Sequence, residues 1–235
     1  MTPRQWNLTV RKDLSPLAAL HKLGLLPLVK KVQFRSDKFN RAWVVPKIFD
    51  PENLYYFSAL VNLQDLTIAE LDFPKFTSGI EEYFGRFSPT LRSIALIDTR
   101  ATSKHLLDFL RLFPKLDDIK IIRYRGTVGA QRMHDTPRTP IQGSLRGKLT
   151  LSGFKDPRLL EGIITTFGGM RFTVMDLDDV VGTQLLLDAC SETLQTLRLY
   201  PENLVYSSKR LLEEDEMIPE LTEHGMDSPR IGPEY

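Results

Sequence analysis

Side chains that could do covalent or metal chemistry are few in this chain, and they lie far apart. The four histidines, His21, His105, His134 and His224, fall in four different segments with no ligand spacing. The one cysteine, Cys190, lies on the apolar side of a helical pattern, where a buried structural thiol is expected rather than a nucleophile. Acidic pairs occur at Glu81-Glu82, Asp117-Asp118 and Asp178-Asp179. Adjacent residues do not share a helix face and point oppositely on a strand, so none of these pairs forms a general acid/base couple by itself. Phosphate-loop, dinucleotide-binding, zinc-protease, nucleophile-elbow and calcium-loop motifs do not occur. The expectation is a non-enzyme with no catalytic residues, no metal and no cofactor.

The elements that hold these residues follow a repeat. The spacing Φ-x-x-Φ-x-Φ, with Φ apolar, occurs at Leu63-Leu66-Ile68, Leu91-Ile94-Leu96, Leu116-Ile119-Ile121, Phe172-Met175-Leu177 and Leu194-Leu197-Leu199. Looser forms are Val29-Val32-Phe34, then Leu149-Leu151 after Arg146, and Leu8-Val10 after Gln5. The last positions are Val10, Phe34, Ile68, Leu96, Ile121, Leu151, Leu177 and Leu199, 22 to 34 residues apart. The x-Φ-x-Φ part reads as a short strand with alternate residues inward, entered at a corner formed by the first Φ.

Between these strands lie stretches with apolar residues at i, i+3 and i+4, the mark of amphipathic helices. They span 15–26, 51–60, 74–87, 103–113, 156–167 and 182–190. Asp50-Pro51 and Asp156-Pro157 fit an N-cap followed by an N1 proline. A strand plus a returning helix cannot bury its apolar face alone, whereas stacked units bury a continuous core. The pattern therefore predicts an α/β solenoid of about seven or eight units over residues 1–202, with parallel strands on the concave face and helices on the convex face.

The L-x-x-L-x-L spacing resembles the leucine-rich repeat, without the asparagine or cysteine that usually follows it. The stretches FDPENLYYFSALVNLQDLTIAELDFPKF, YFGRFSPTLRSIAL, FPKLDDIKI, LTLSGF and LLLDACSETLQTLRLYP resemble fungal F-box-type leucine-rich-repeat-like proteins over about residues 28–201. That resemblance implies a repeat array that recognises protein substrates, the arm of a ubiquitin-ligase adaptor. No F-box is read in this chain, so a Skp1-type adaptor is expected as a partner only through an F-box outside it. The alternatives are a free-standing leucine-rich-repeat scaffold or a diverged remnant without a ligase role, with an enzyme less favoured.

Two segments depart from the repeat. Residues 123–144 carry four arginines and one aspartate with no apolar period, and read as an inserted basic loop. Residues 203–235 carry three basic and eight acidic side chains and read as a flexible acidic tail. The net charge of +1 favours neither nucleic acid nor membrane. No apolar run approaches the ~20 residues of a membrane span. A single cysteine and an N-terminus without an apolar h-region imply an intracellular protein, cytoplasmic or nuclear.

Strand geometry also assigns the outward residues. The first column reads Asn7, Lys31, Asp65, Ser93, Asp118, Lys148, Val174, Thr196. The second reads Thr9, Gln33, Thr67, Ala95, Lys120, Thr150, Asp176, Arg198, and the third Arg11, Arg35, Ala69, Ile97, Ile122, Ser152, Asp178, Tyr200. Ala69, Ala95, Ile97 and Ile122 form an apolar cluster, exposed for a protein partner or covered by loops. Asp65, Asp118, Lys120, Asp176, Arg198 and Tyr200 supply a polar rim. These ten residues are the candidate partner-binding site.

Overall fold

A computed structural model describes residues 6–10, 14–35, 54–70, 84–87, 89–126, 145–166 and 170–200. The strands are β1 (Trp6–Val10), β2 (Val29–Arg35), β3 (Asp65–Ala69), β4 (Ser93–Ile97), β5 (Arg100–Ala101), β6 (Asp118–Ile122), β7 (Arg125–Gly126), β8 (Leu145–Phe154), β9 (Met170–Val180) and β10 (Thr196–Tyr200). The α-helices are α1 (Ser15–Lys22), α2 (Leu54–Ser58), α3 (Ser103–Arg111), α4 (Pro157–Thr166) and α5 (Thr183–Cys190), with a 3-10 turn at Leu26–Leu28.

Eight strands form one parallel sheet in the order β1-β2-β3-β4-β6-β8-β9-β10, the order of the sequence. The sheet is open, with β1 and β10 at its edges. Each expected strand is present, and every lateral pairing in the three outward columns is the observed register. Arg11, at the head of the third column, lies outside the described residues.

The cause is the period of two. Val32, Leu66, Ile94, Ile119, Leu149 and Met175 share one face, as do Phe34, Ile68, Leu96, Ile121, Leu151 and Leu177, and all are buried. They join Leu106, Leu110, Leu159, Leu160 and Leu186 from the helices in one hydrophobic core. A one-residue slip of any strand would turn this set outward, so burial of about 1.5–3 kcal/mol per large side chain fixes the register. Phe84, Phe109 and Phe113 extend the core by edge-to-face contacts at 5.2 and 5.3 Å.

Two helices start at side-chain caps. Asp156 Oδ1 accepts from Arg158 N at 3.1 Å and Leu159 N at 3.3 Å, the expected cap before Pro157. Thr102 Oγ1 accepts from His105 N at 3.2 Å at the start of α3. Asp50-Pro51 and most of 74–87 lie outside the described residues, as do 127–144 and 203–235.

Two features differ from the sequence reading. Residues 123–126 do not open a loop: Arg123 turns the corner after β6, and β7 pairs in parallel with β5, Arg100 beside Arg125 and Ala101 beside Gly126. This short ladder carries no apolar alternation, so a search for Φ spacing passes over it. Leu145–Gly147 and Met170–Phe172 are already paired strand rather than entry corners, with a bulge between Gly147 and Lys148. At that bulge Gly147 has φ +86, and an added Cβ would sit 2.0 Å from the Asp117 carbonyl oxygen. Only glycine lets the backbones approach so closely.

Candidate functional site

The helices and the buried row of each strand occupy one face of the sheet, and the three outward columns form the other. On that open face Asp65, Thr67, Ser93, Ala95, Asp118 and Lys120 are half-buried, while Arg198 and Tyr200 are exposed. The structure therefore brings the candidates together on one surface in three lateral rows, about 4.8 Å between strands.

The apolar cluster is not an exposed patch. Ile97 retains 6% of its surface, Ile122 4% and Ala69 6%, while Ala95 is half-buried. Of the two arrangements left open for Ile97 and Ile122, the structure has the covered one. They stand at the last position of β4 and β6, and apolar side chains there gain burial rather than a contact surface.

The corner beyond them repeats. Glu70, Asp98 and Arg123 each follow the last residue of a strand, and Gly153 and Asp179 stand next to last in β8 and β9; all five have positive φ, between 50 and 61°. Their amides run laterally: Glu70 N donates to Ile97 O at 2.7 Å, Asp98 N to Ile122 O at 2.9 Å, and Arg123 N to Ser152 O at 2.7 Å. Four of the five are not glycine, a strained choice of about 1–2 kcal/mol each offset by these bonds. Ion pairs bridge the corners: Asp98 Oδ2 lies 2.8 Å from Arg123 Nη2, Asp98 Oδ1 lies 3.4 Å from Arg125 Nη2, and Lys155 pairs with Asp179.

Electrostatics concentrate at the β6–β10 half of the open face. Asp176 is buried, and its carboxylate meets Lys148 Nζ at 2.7 Å through Oδ2 and Arg198 Nη1 at 3.5 Å through Oδ1. Ser152 Oγ donates to Asp178 Oδ2 at 2.9 Å in the next row. Desolvation raises the Asp118 carboxyl above its ordinary value; Lys148 and Lys120 oppose the rise, and Asp65 and Asp176 add to it. Lys148, the cation that bridges to Asp176, stands in the first outward column and is not one of the ten candidates. Its signal was its register between Asp118 and Val174, visible once neighbouring strands are aligned.

Elsewhere, Tyr124 Oη donates to the Ala101 carbonyl at 2.8 Å, and burial pushes its pKa up to about 12. Ser103 Oγ donates to Asp156 Oδ2 at 2.7 Å. Cys190 is buried, and desolvation raises its thiol pKa, the environment of an unreactive thiol. Among the described residues no group of three or more His, Cys, Asp or Glu side chains could hold a metal ion, and no helix is long and apolar enough to cross a membrane. In comparisons with known proteins, no family model, no curated protein and no solved structure matches the chain.

Proposed function

We propose that the chain is a non-catalytic protein-recognition module, a leucine-rich-repeat-like solenoid whose open sheet face is the concave wall that takes a protein partner. One observation carries this reading. Among the described residues the helices pack on the buried rows and leave a broad face of aligned rows, lined by small side chains at Thr67, Ser93 and Ala95 beside charges at Asp65, Asp118, Lys120, Asp176 and Arg198. Such a surface offers shape and a fixed charge pattern over several strands without converging groups on one reacting atom, which suits a macromolecular ligand better than a small substrate. Asp118, half-buried and carrying a raised pKa, stands where a partner's cation would offset its desolvation.

The narrower form of this reading is the substrate arm of an F-box-type ubiquitin-ligase adaptor, joined to a Skp1-type protein through an F-box outside this chain. Affinity capture with the chain as bait, read by mass spectrometry, tests the broader form. A partner bound by the open face is lost from the Asp65→Lys/Lys120→Glu variant and kept by Lys104→Glu, at an exposed position of α3. Recovery of the same proteins with the open-face variant overturns the site. Capture of the endogenous protein, tagged in its own gene so that any F-box outside this chain is retained, tests the narrower form: absence of a Skp1-type protein there overturns the adaptor role alone.

A further inference from the structure

Asp65 and Asp118 are carboxylates of the open face that, among the described residues, have neither a counter-ion in contact nor a hydrogen-bond donor. They stand in the first column on either side of Ser93, at neighbouring positions of β3, β4 and β6. Two strand spacings set their Cα atoms about 10 Å apart. All three residues are half-buried. The cations around them are accounted for. Lys148, beside Asp118, gives its Nζ to Asp176 at 2.7 Å. Asp176 is 7% exposed and its Oδ1 accepts no hydrogen bond, so it holds the stronger claim on that ammonium. Lys120, two residues along β6, acts on Asp118 through its field without a salt bridge, and Lys31 stands beside Asp65 in the row.

The charge pattern selects what can sit there. Along this row it reads positive at Lys31, negative at Asp65, neutral at Ser93, negative at Asp118 and positive at Lys148. A half-buried carboxylate without a partner keeps part of its desolvation cost, and a cation brought against it offsets that cost with charge-assisted hydrogen bonds. The floor between the two acids is low, with Ser93 in the row and Thr67 and Ala95 in the next. A long aliphatic stem can lie over Thr67 and Ala95 while its charged head reaches Ser93 and both carboxylates. The lysines at the two ends turn away a run of basic residues, and the acids turn away a phosphate backbone. A single basic side chain among neutral or acidic neighbours satisfies both conditions.

We propose that the protein partner of the open face inserts one arginine or lysine side chain between Asp65 and Asp118, above Ser93, from a segment whose adjacent residues are neutral or acidic. The inference rests on the protein-recognition role proposed for this face and narrows it to a chemistry of the partner. Acidic neighbours in that segment meet Lys31 and Lys120, so alternating charge fixes the register of the partner on the face. With the cation in place, Asp118 gains the counter-charge that its desolvated position lacks.

The test is selection of a phage-displayed random peptide library on the full chain, with the affinities of enriched peptides read by fluorescence polarisation. The enriched peptides are expected to share one basic residue, and its replacement by alanine is expected to weaken binding about 10–100-fold. Asp65→Asn with Asp118→Asn keeps both side-chain volumes and is expected to cause a loss of the same size, with circular dichroism unchanged. Ala95→Arg fills the floor and blocks the whole face. Suppose the block abolishes binding, but the peptides carry no basic residue or bind the double-asparagine variant as well as wild type. That result overturns this inference and leaves the recognition role standing. Binding indifferent to Ala95→Arg, or no enrichment at all, overturns both. Should a variant fail to fold, alanine replacement in the peptide decides on the wild-type chain, where an unchanged affinity overturns the inference.

Discussion

Asp98 and Arg123 hold the same corner on neighbouring strands, both in left-handed backbone, joined by an ion pair of 2.8 Å and linked laterally through the bonds of Asp98 N to Ile122 O and Arg123 N to Ser152 O. The pair sits at a strained bend, and the strain is shared by Glu70, which has φ 61° and a buried Oε2 without a hydrogen-bond partner. Replacing Glu70 by asparagine, a residue at ease in this conformation, is expected to stabilise the fold by about 0.5–1 kcal/mol. Urea unfolding measures it; a loss of stability would mean that the Glu70 carboxylate does structural work its position does not reveal.

The bulge in β8 makes the opposite prediction. Gly147→Ala sets a Cβ 2.0 Å from a backbone oxygen at φ +86, where no rotamer change brings relief. A loss of at least about 3 kcal/mol is expected. An alanine variant within 1 kcal/mol of wild type would show that the β8–Asp117 approach is looser than drawn.

Asp118 makes stability depend on pH in an unusual direction. Its folded pKa is raised above the ordinary 3.8, so the folded state holds its proton more tightly than the unfolded chain does. Its contribution therefore falls as pH climbs from the ordinary carboxylate value through the raised one, and the full penalty stands at neutral pH. Asp118→Asn is expected to be more stable than wild type at neutral pH. The difference should shrink toward zero below the ordinary carboxylate range, as read from urea midpoints at both ends. An advantage that is the same at every pH would exclude ionisation as its cause.

The Tyr124 hydroxyl bonds the Ala101 carbonyl beneath the β5–β7 ladder, with the ring stacked 5.5 Å from Phe154. Tyr124→Phe keeps the ring and orphans the carbonyl, a cost of about 1–2 kcal/mol. In an alkaline absorbance titration the wild type should retain one tyrosine that ionises only near pH 12, and the variant should lack it.

Packing of α3 against α4 depends on Gly162, where an added Cβ would lie 2.6 Å from Leu107 Cδ1. The obstacle is the end of a flexible side chain, so Gly162→Ala is expected to cost about 1–3 kcal/mol, and Leu107→Ala in the same chain should recover part of it. Strictly additive losses in this double-mutant cycle would refute the direct contact.

Much of this architecture is legible in the sequence because one simple rule governs it. Three apolar positions with a gap of three and then of two set both the strand and its face, so even the weak Leu8-Val10 finds the register that Leu66-Ile68 and Ile94-Leu96 define. What escapes the rule has no apolar signal. The left-handed bends fall on Glu, Asp and Arg rather than on glycine or asparagine, so residue type does not announce them. The β5–β7 ladder is held by lateral backbone bonds and by Tyr124, a residue that composition would place in a loop. The candidate face was legible as columns, yet the cover over Ile97 and Ile122 was not, because burial at a strand end depends on where the chain goes after it.

Because spatial order in the sheet copies order along the chain, each β-strand answers only to the strand before it and the strand after it. Gene segments encoding one whole strand–helix module could be duplicated or excised with just two seams to mend. A protein built this way can change its reach in steps without reinventing its interior.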